Sequence, residues 1–278
     1  MGPALALASA ILYGIIDFAG GKLSRRVDGF SLALPVQMAG FISMWALALL
    51  MAGQPGIRSL AWGALSGIGS GIAIMFLYRA MGLGQISLVV PLTAAVGAAL
   101  PTALGLVLGE RPGPLALTGL VAILPAIWLI TQQGTSFAMA MTGGRGAAVI
   151  AGCGVALQYS AIAQADAAAG LWPMAANRMS SILVILAGAR MARVPVWPGR
   201  RYVGPAAWLG IVAAISLALY QAATRHSLVS IAVPLASLYP VVPVVLGVTL
   251  LHERLSRLQW LGVATATLGI VLVVSDGH

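Results

Sequence analysis

Stretches of 20 residues or more without one charged side chain recur along this chain, among them 29–57, 59–78, 80–109, 112–144, 146–165 and 202–224. A helix needs about 20 apolar residues to cross the hydrocarbon core of a bilayer. Inside the bilayer, backbone polar groups must be satisfied within the segment, which leaves helices or closed barrels. Charged residues make up 8% of the chain, against about 25% in soluble domains, so too few remain to cover a soluble surface. The sequence therefore predicts an all-α polytopic membrane protein. "ASA" at Ala8–Ala10 has the look of a signal-peptide cleavage site, but no positive region precedes it, and the segment reads as the first transmembrane helix.

Breaks at charge, proline and glycine divide the chain into ten spans. They fall near 4–22, 29–52, 60–80, 86–108 and 113–131, then 146–165, 171–189, 204–224, 229–251 and 257–275. The loops are too short for a soluble domain. The net charge of +9 is read as topology, with no nucleic acid as partner. One face collects Lys22, Arg25, Arg26, Arg79, Arg145, Arg190, Arg193, Arg200, Arg201, Arg254 and Arg257. The other has Arg58, Arg111 and Arg225. Basic residues stay cytoplasmic, which places both termini on the non-cytoplasmic side of the inner (cytoplasmic) membrane. Cys153 is the one cysteine, so there is no internal disulfide and no thiolate cluster; it reads as packing.

Two phrases repeat. "QISLVVPL" ends at Leu92 and "VSIAVPL" at Leu235, which puts Pro91 and Pro234 143 residues apart. The same offset joins Ser87 to Ser230, Glu110 to Glu253, Arg111 to Arg254 and Gly119 to Gly262, and "FLYRA" at 76–80 echoes "ALYQA" at 218–222. The pattern predicts a five-helix unit duplicated, residues 1–131 and 146–278, with a connecting loop at 132–145. Five is odd, so the second copy lies inverted, the arrangement of many secondary transporters.

With the two "ER" turns, "LGERPGPLALTG" and "LHERLSRLQWLG", the arginine in "AANRMSS" and the aromatic-glycine pair Tyr13-Gly14, the chain resembles the drug/metabolite transporter superfamily in its EamA-type ten-helix branch. The resemblance is stronger in the second copy: Gly97 stands where Pro240 does, and Gln37 where Arg178 does. It implies a transporter, not an enzyme, with no cofactor and no metal. Members often have a basic, cytoplasmic N-terminus; the loop charges here predict the opposite.

Arg178 lies about 12 Å into span seven at helical rise, where arginine costs about 2.5 kcal/mol or more. It reads as a clamp for a carboxylate, or as a structural bond to carbonyls at a helix crossing. Asn177 could line the same region. Asp17, one turn from Tyr13, could bind an amine or carry a proton, or could be an interfacial carboxylate beside Lys22 and Arg25. Gln37, Gln158, Tyr13, Tyr78, Tyr220 and Tyr239 complete the substrate-binding set, with Tyr239 and Gln158 deepest and tyrosines at span ends read as interface anchors. Pro91, Pro101, Pro234, Pro240 and Pro243 interrupt spans four and nine and suit gating or hinging. Glu110 and Glu253 read as structural turn residues that cap the next helix. Gly63, Gly67 and Gly71 form a small-residue packing face.

The expected function is secondary transport by alternating access: export of a small, polar, amino-acid-like metabolite by a monomer, with protons as the candidate coupling ion. Export of cationic drugs or nucleoside-like metabolites is the alternative, followed by a membrane-embedded enzyme or a channel.

Overall fold

A computed structural model describes residues 2–51, 53–107, 111, 113–131, 144–226 and 235–276. Among these residues ten α-helices are bounded, in order: α1 Gly2–Ser24, α2 Gly29–Leu50, α3 Ile57–Leu83, α4 Ile86–Val107, α5 Pro114–Thr131, α6 Arg145–Ile162, α7 Trp172–Met191, α8 Arg200–His226, α9 Val241–Leu250 and α10 Arg257–Asp276. A 3₁₀ turn, Ala167–Ala169, precedes α7. There is no strand among the described residues. Among the described residues, seven helices, α1 to α5, α8 and α10, are long and apolar enough to cross a membrane. Large apolar side chains such as Ile42, Trp128 and Trp208 lie exposed on the outside, as lipid-facing residues do.

Local chemistry sets the helix ends. The Asp28 carboxylate accepts from Phe30 N at 2.9 Å and starts α2. α10 begins with a capping box, in which Gln259 N donates to Ser256 Oγ at 3.2 Å and Ser256 N donates back to Gln259 Oε1 at 2.9 Å.

Helix α3 packs on α6 and α7, α8 packs on α1 and α2, α4 on α6, α1 on α9, and α5 on α10. Exchanging each helix for the one five places along maps α3–α6 onto α8–α1, α3–α7 onto α8–α2, and α4–α6 onto α9–α1. The close approaches follow the same exchange. Gly67 in α3 lies against the Asn177 carbonyl in α7, and Gly210 in α8 lies against the Val36 carbonyl in α2. Gly63 and Gly71 join Gly67 along one face: a Cβ at Gly63 would collide with the Pro173 carbonyl of α7, and one at Gly71 would stand 2.8 Å from Val184 Cβ. The small-residue face is thus the seat of α7.

Three expectations need correction. Span nine is not one continuous helix: the turns at 237–240 separate the helical residues 235–236 from the α-helix that starts at Val241. Pro240 and Pro243 lack the N–H groups that Ala236 O and Tyr239 O would accept in an α-helix. Those carbonyls accept instead from Tyr239 N at 3.2 Å and Val242 N at 3.3 Å, one residue short, which tightens the segment to 3₁₀ geometry. By contrast α4, with Gly97 at the matching position, runs unbroken through Pro91 and Pro101. Cys153 is exposed on α6 and does not pack in the core. Tyr78 is no interface anchor: it is 3% exposed, and its ring fills the space that the missing side chain of Gly20 leaves in α1. Pro234 and Glu110 lie outside the described residues.

Candidate substrate site

A polar network joins α2, α3 and α7 in the protein interior. Gln37 is fully buried. Its Nε2 donates to Ser181 Oγ at 2.6 Å and to Ser70 Oγ at 3.1 Å, while its Oε1 accepts from the Arg178 guanidinium. Gly40, one turn on, lies beside that guanidinium: a Cβ there would make ordinary contact with Arg178 Nε at 3.5 Å. Beside it, Asn177 Nδ2 donates to Ser66 Oγ at 2.8 Å, and Ser66 Oγ donates to the Gln158 carbonyl at 2.9 Å. Buried polar groups cost free energy unless paired, and these are paired with one another. Gln37 and Arg178, which the sequence reading paired as counterparts, bond directly.

Arg178 is half-buried and has a second side to its environment. The Tyr78 hydroxyl lies within electrostatic reach of Asp17, Arg178 and Tyr13. The Tyr159 hydroxyl lies within reach of Tyr13, Tyr220, Asp17 and Arg178, and that of Tyr239 within reach of Tyr159, Asp17 and Tyr13. The Tyr13 and Tyr239 rings meet at 6.2 Å with planes inclined by 60°. Tyrosines from α1, α3, α6, α8 and the turn before α9 thus form one linked group, in which Asp17 bears on Tyr78, Tyr159 and Tyr239 and Arg178 on Tyr78 and Tyr159. Tyr13, Asp17, Tyr220 and Tyr239 are half-buried, and Tyr159 is 58% exposed.

Asp17 makes no hydrogen bond or ion pair among the described residues. The described ion pair is Arg25–Glu253, so Arg25 is engaged elsewhere and does not neutralise Asp17. Tyr159 stands in the sequence as one of the aromatic groups within the spans, but it is not among the expected substrate-binding residues. At Gln158 the backbone faces α3, 2.6 Å from a Cβ placed at Gly69; the next residue carries the aromatic group to the cluster. Among the described residues, no group of three or more His, Cys, Asp or Glu could hold a metal ion.

Glu253 behaves differently from the expected cap of the next helix. Its Oε1 accepts from Ile86 N at 3.1 Å and its Oε2 from Ser87 N at 2.9 Å, the first residues of α4. It also accepts from Ser87 Oγ and from the Arg25 guanidinium. α10 is capped by Ser256.

An all-helical bundle with apolar spans, glycine-mediated crossings and a polar interior cluster defines a multi-pass helical membrane protein. Residues 144–275, in the second half of the chain, match the EamA-like transporter family: this part of the chain is similar to that family's membrane transporter domain. Across the full length the fold is shared with a crystal structure of a protein that is 18% identical, over 98% of this chain and 96% of the other, with a TM-score of 0.63; at that identity the likeness is one of fold. No curated protein matches.

Proposed function

We propose that the chain is a secondary transporter that exports a small, amino-acid-like metabolite by alternating access between two inverted five-helix halves, 1–131 and 146–278. The family match on the second half supports transport, and the helix contacts that survive exchange of the halves support the repeat. The basic loops support an inner-membrane orientation with both termini outside the cytoplasm. The protein works as a monomer in the bilayer, with Asp17 the group suited to carry a coupling proton.

The observation that carries the substrate class is that Asp17 and Arg178, opposite in charge, bear on the same two tyrosines, Tyr78 and Tyr159. A zwitterion can put its ammonium at Asp17 and its carboxylate at Arg178, with its side chain against the tyrosine rings. A second reading, export of an organic cation, is favoured by one feature: Asp17 has no hydrogen-bond or ion-pair partner among the described residues, whereas Arg178 already bonds Gln37. Tyrosine faces and a carboxylate are what a cation prefers.

The test is counterflow in liposomes with amino acids, organic cations and nucleosides, on the parent, Asp17→Asn, Arg178→Gln and Arg178→Lys. A zwitterion carrier loses amino-acid counterflow in Asp17→Asn and Arg178→Gln and is weakened in Arg178→Lys, since lysine lacks the planar fork. A cation carrier loses activity only in Asp17→Asn. Nucleoside counterflow indifferent to all three variants would defeat both readings.

A further inference from the structure

The acceptor set of Glu253 makes sense as more than a turn. Its carboxylate sits in the α9–α10 connection of the second half, yet every group it binds belongs to the first half: the α4 N-terminus, the Ser87 hydroxyl and Arg25 just beyond α1. The Glu253 side chain is 5% exposed and Arg25 34%, so the acid is sealed inside and the base closes it from outside. Ser87 is fully buried. Gly247 lets α9 come this close, since a Cβ there would stand 2.8 Å from Glu253 Oε2. A carboxylate at a helix N-terminus also meets the positive end of the helix dipole. Lys22, Arg25, Arg26 and Arg254 place this cluster on the basic face of the chain.

We propose that the Glu253–Ser87–Arg25 cluster is a latch that closes the basic face, holding the two halves together there and releasing when that face opens. The inference rests on the alternating-access reading above, since a bond made only between the halves must break if they separate on this side. Sequence adds an asymmetry. The acid and hydroxyl recur at the repeat offset as Glu110 and Ser230, which lie outside the described residues. No arginine recurs, because residues 163–168, which follow α6 as Arg25 follows α1, contain no base. The latch with an ion pair is therefore the one on the basic face, and it biases the resting protein toward closure there.

The experiment is double electron–electron resonance on the full chain. Spin labels go on cysteines at the exposed positions Arg26 and Arg257, which flank the latch from the two halves. Cys153→Ser supplies the background, since the chain has one cysteine. The parent should show one short-distance population. Arg25→Gln, which leaves both backbone bonds to Glu253 intact, should add a longer one, and Glu253→Gln should make it dominant, with Ser87→Ala between them. If Glu253→Gln does not yield monodisperse protein, the other two variants decide. A lowered melting temperature with unchanged distances would show Glu253 to be only a helix cap and would overturn the proposal, as would unchanged distances at unchanged stability. No substrate is needed, so a failed substrate assignment leaves this result standing, and a failed latch leaves counterflow intact.

Discussion

Replacing Gln37 separates holding Arg178 from merely filling space. Gln37→Leu keeps nearly the same volume at a fully buried site and removes three hydrogen bonds, to Arg178, Ser70 and Ser181. A bond to a charged group contributes about 1.5–3 kcal/mol, and a neutral one about 0.5–1.5 kcal/mol. The serine hydroxyls can turn to backbone carbonyls and the leucine is better buried, so the net loss should be about 2–3 kcal/mol. That corresponds to a fall in melting temperature of about 5–10 °C. Gln37→Glu should behave otherwise. The two hydroxyls reverse and donate to the new carboxylate, and Arg178 gains a charged partner, with bonds about twice as strong as neutral ones. The protein should melt close to the parent, yet bind an anionic substrate group more weakly, because the guanidinium is now held from behind. The assay is thermal unfolding with and without the substrate found by counterflow, on one preparation of each variant. A parent-like melting temperature for Gln37→Leu, together with undiminished substrate protection, would refute the reasoning: Arg178 would not depend on Gln37 for its place.

Gly67→Leu should be among the most damaging single changes in α3, costing about 1–3 kcal/mol or more through overpacking, because the α7 backbone at Asn177 occupies the space its side chain would need; the measurement is unfolding in detergent, with Gly56→Leu, where nothing lies within 4 Å, as the mild control. For orientation, a C-terminal alkaline phosphatase fusion should be active and a fluorescent-protein fusion dark; the reverse pattern would put the basic face outside.

Much of the architecture is local and was therefore open to reading. The number of spans follows from the length of uncharged runs, and helicity follows from the need to satisfy the backbone without water. The observed helices fall close to the expected spans, apart from the ninth. Its proline pair was visible, but proline is tolerated within α4 and not within the ninth span. The difference lies in two donors being missing three residues apart, at Pro240 and Pro243. The glycines every four residues in α3 announced a close crossing, because small residues at that spacing can only share one face.

Which helix faces which was decided by the tertiary structure. Helices that are apolar on nearly every side have no stripe that names their partner. Thus Arg178 in α7 could be placed at membrane depth from sequence, but its bond to Gln37, 141 residues earlier, arises only when α2 and α7 meet. Glu253 was recognisable as an acid at a turn; that it serves α4 and Arg25 rather than α10 depends on the approach of the two halves. Tyr78 near the end of its span looked like an anchor until α1 closed over it at Gly20. Asp17 sits five residues from Lys22 along the chain, yet it belongs to a tyrosine cluster drawn from five separate segments. In each case the deciding energy is a contact across a long sequence separation, where a side chain's depth in the membrane is a property of its own helix and its partner is a property of the whole bundle.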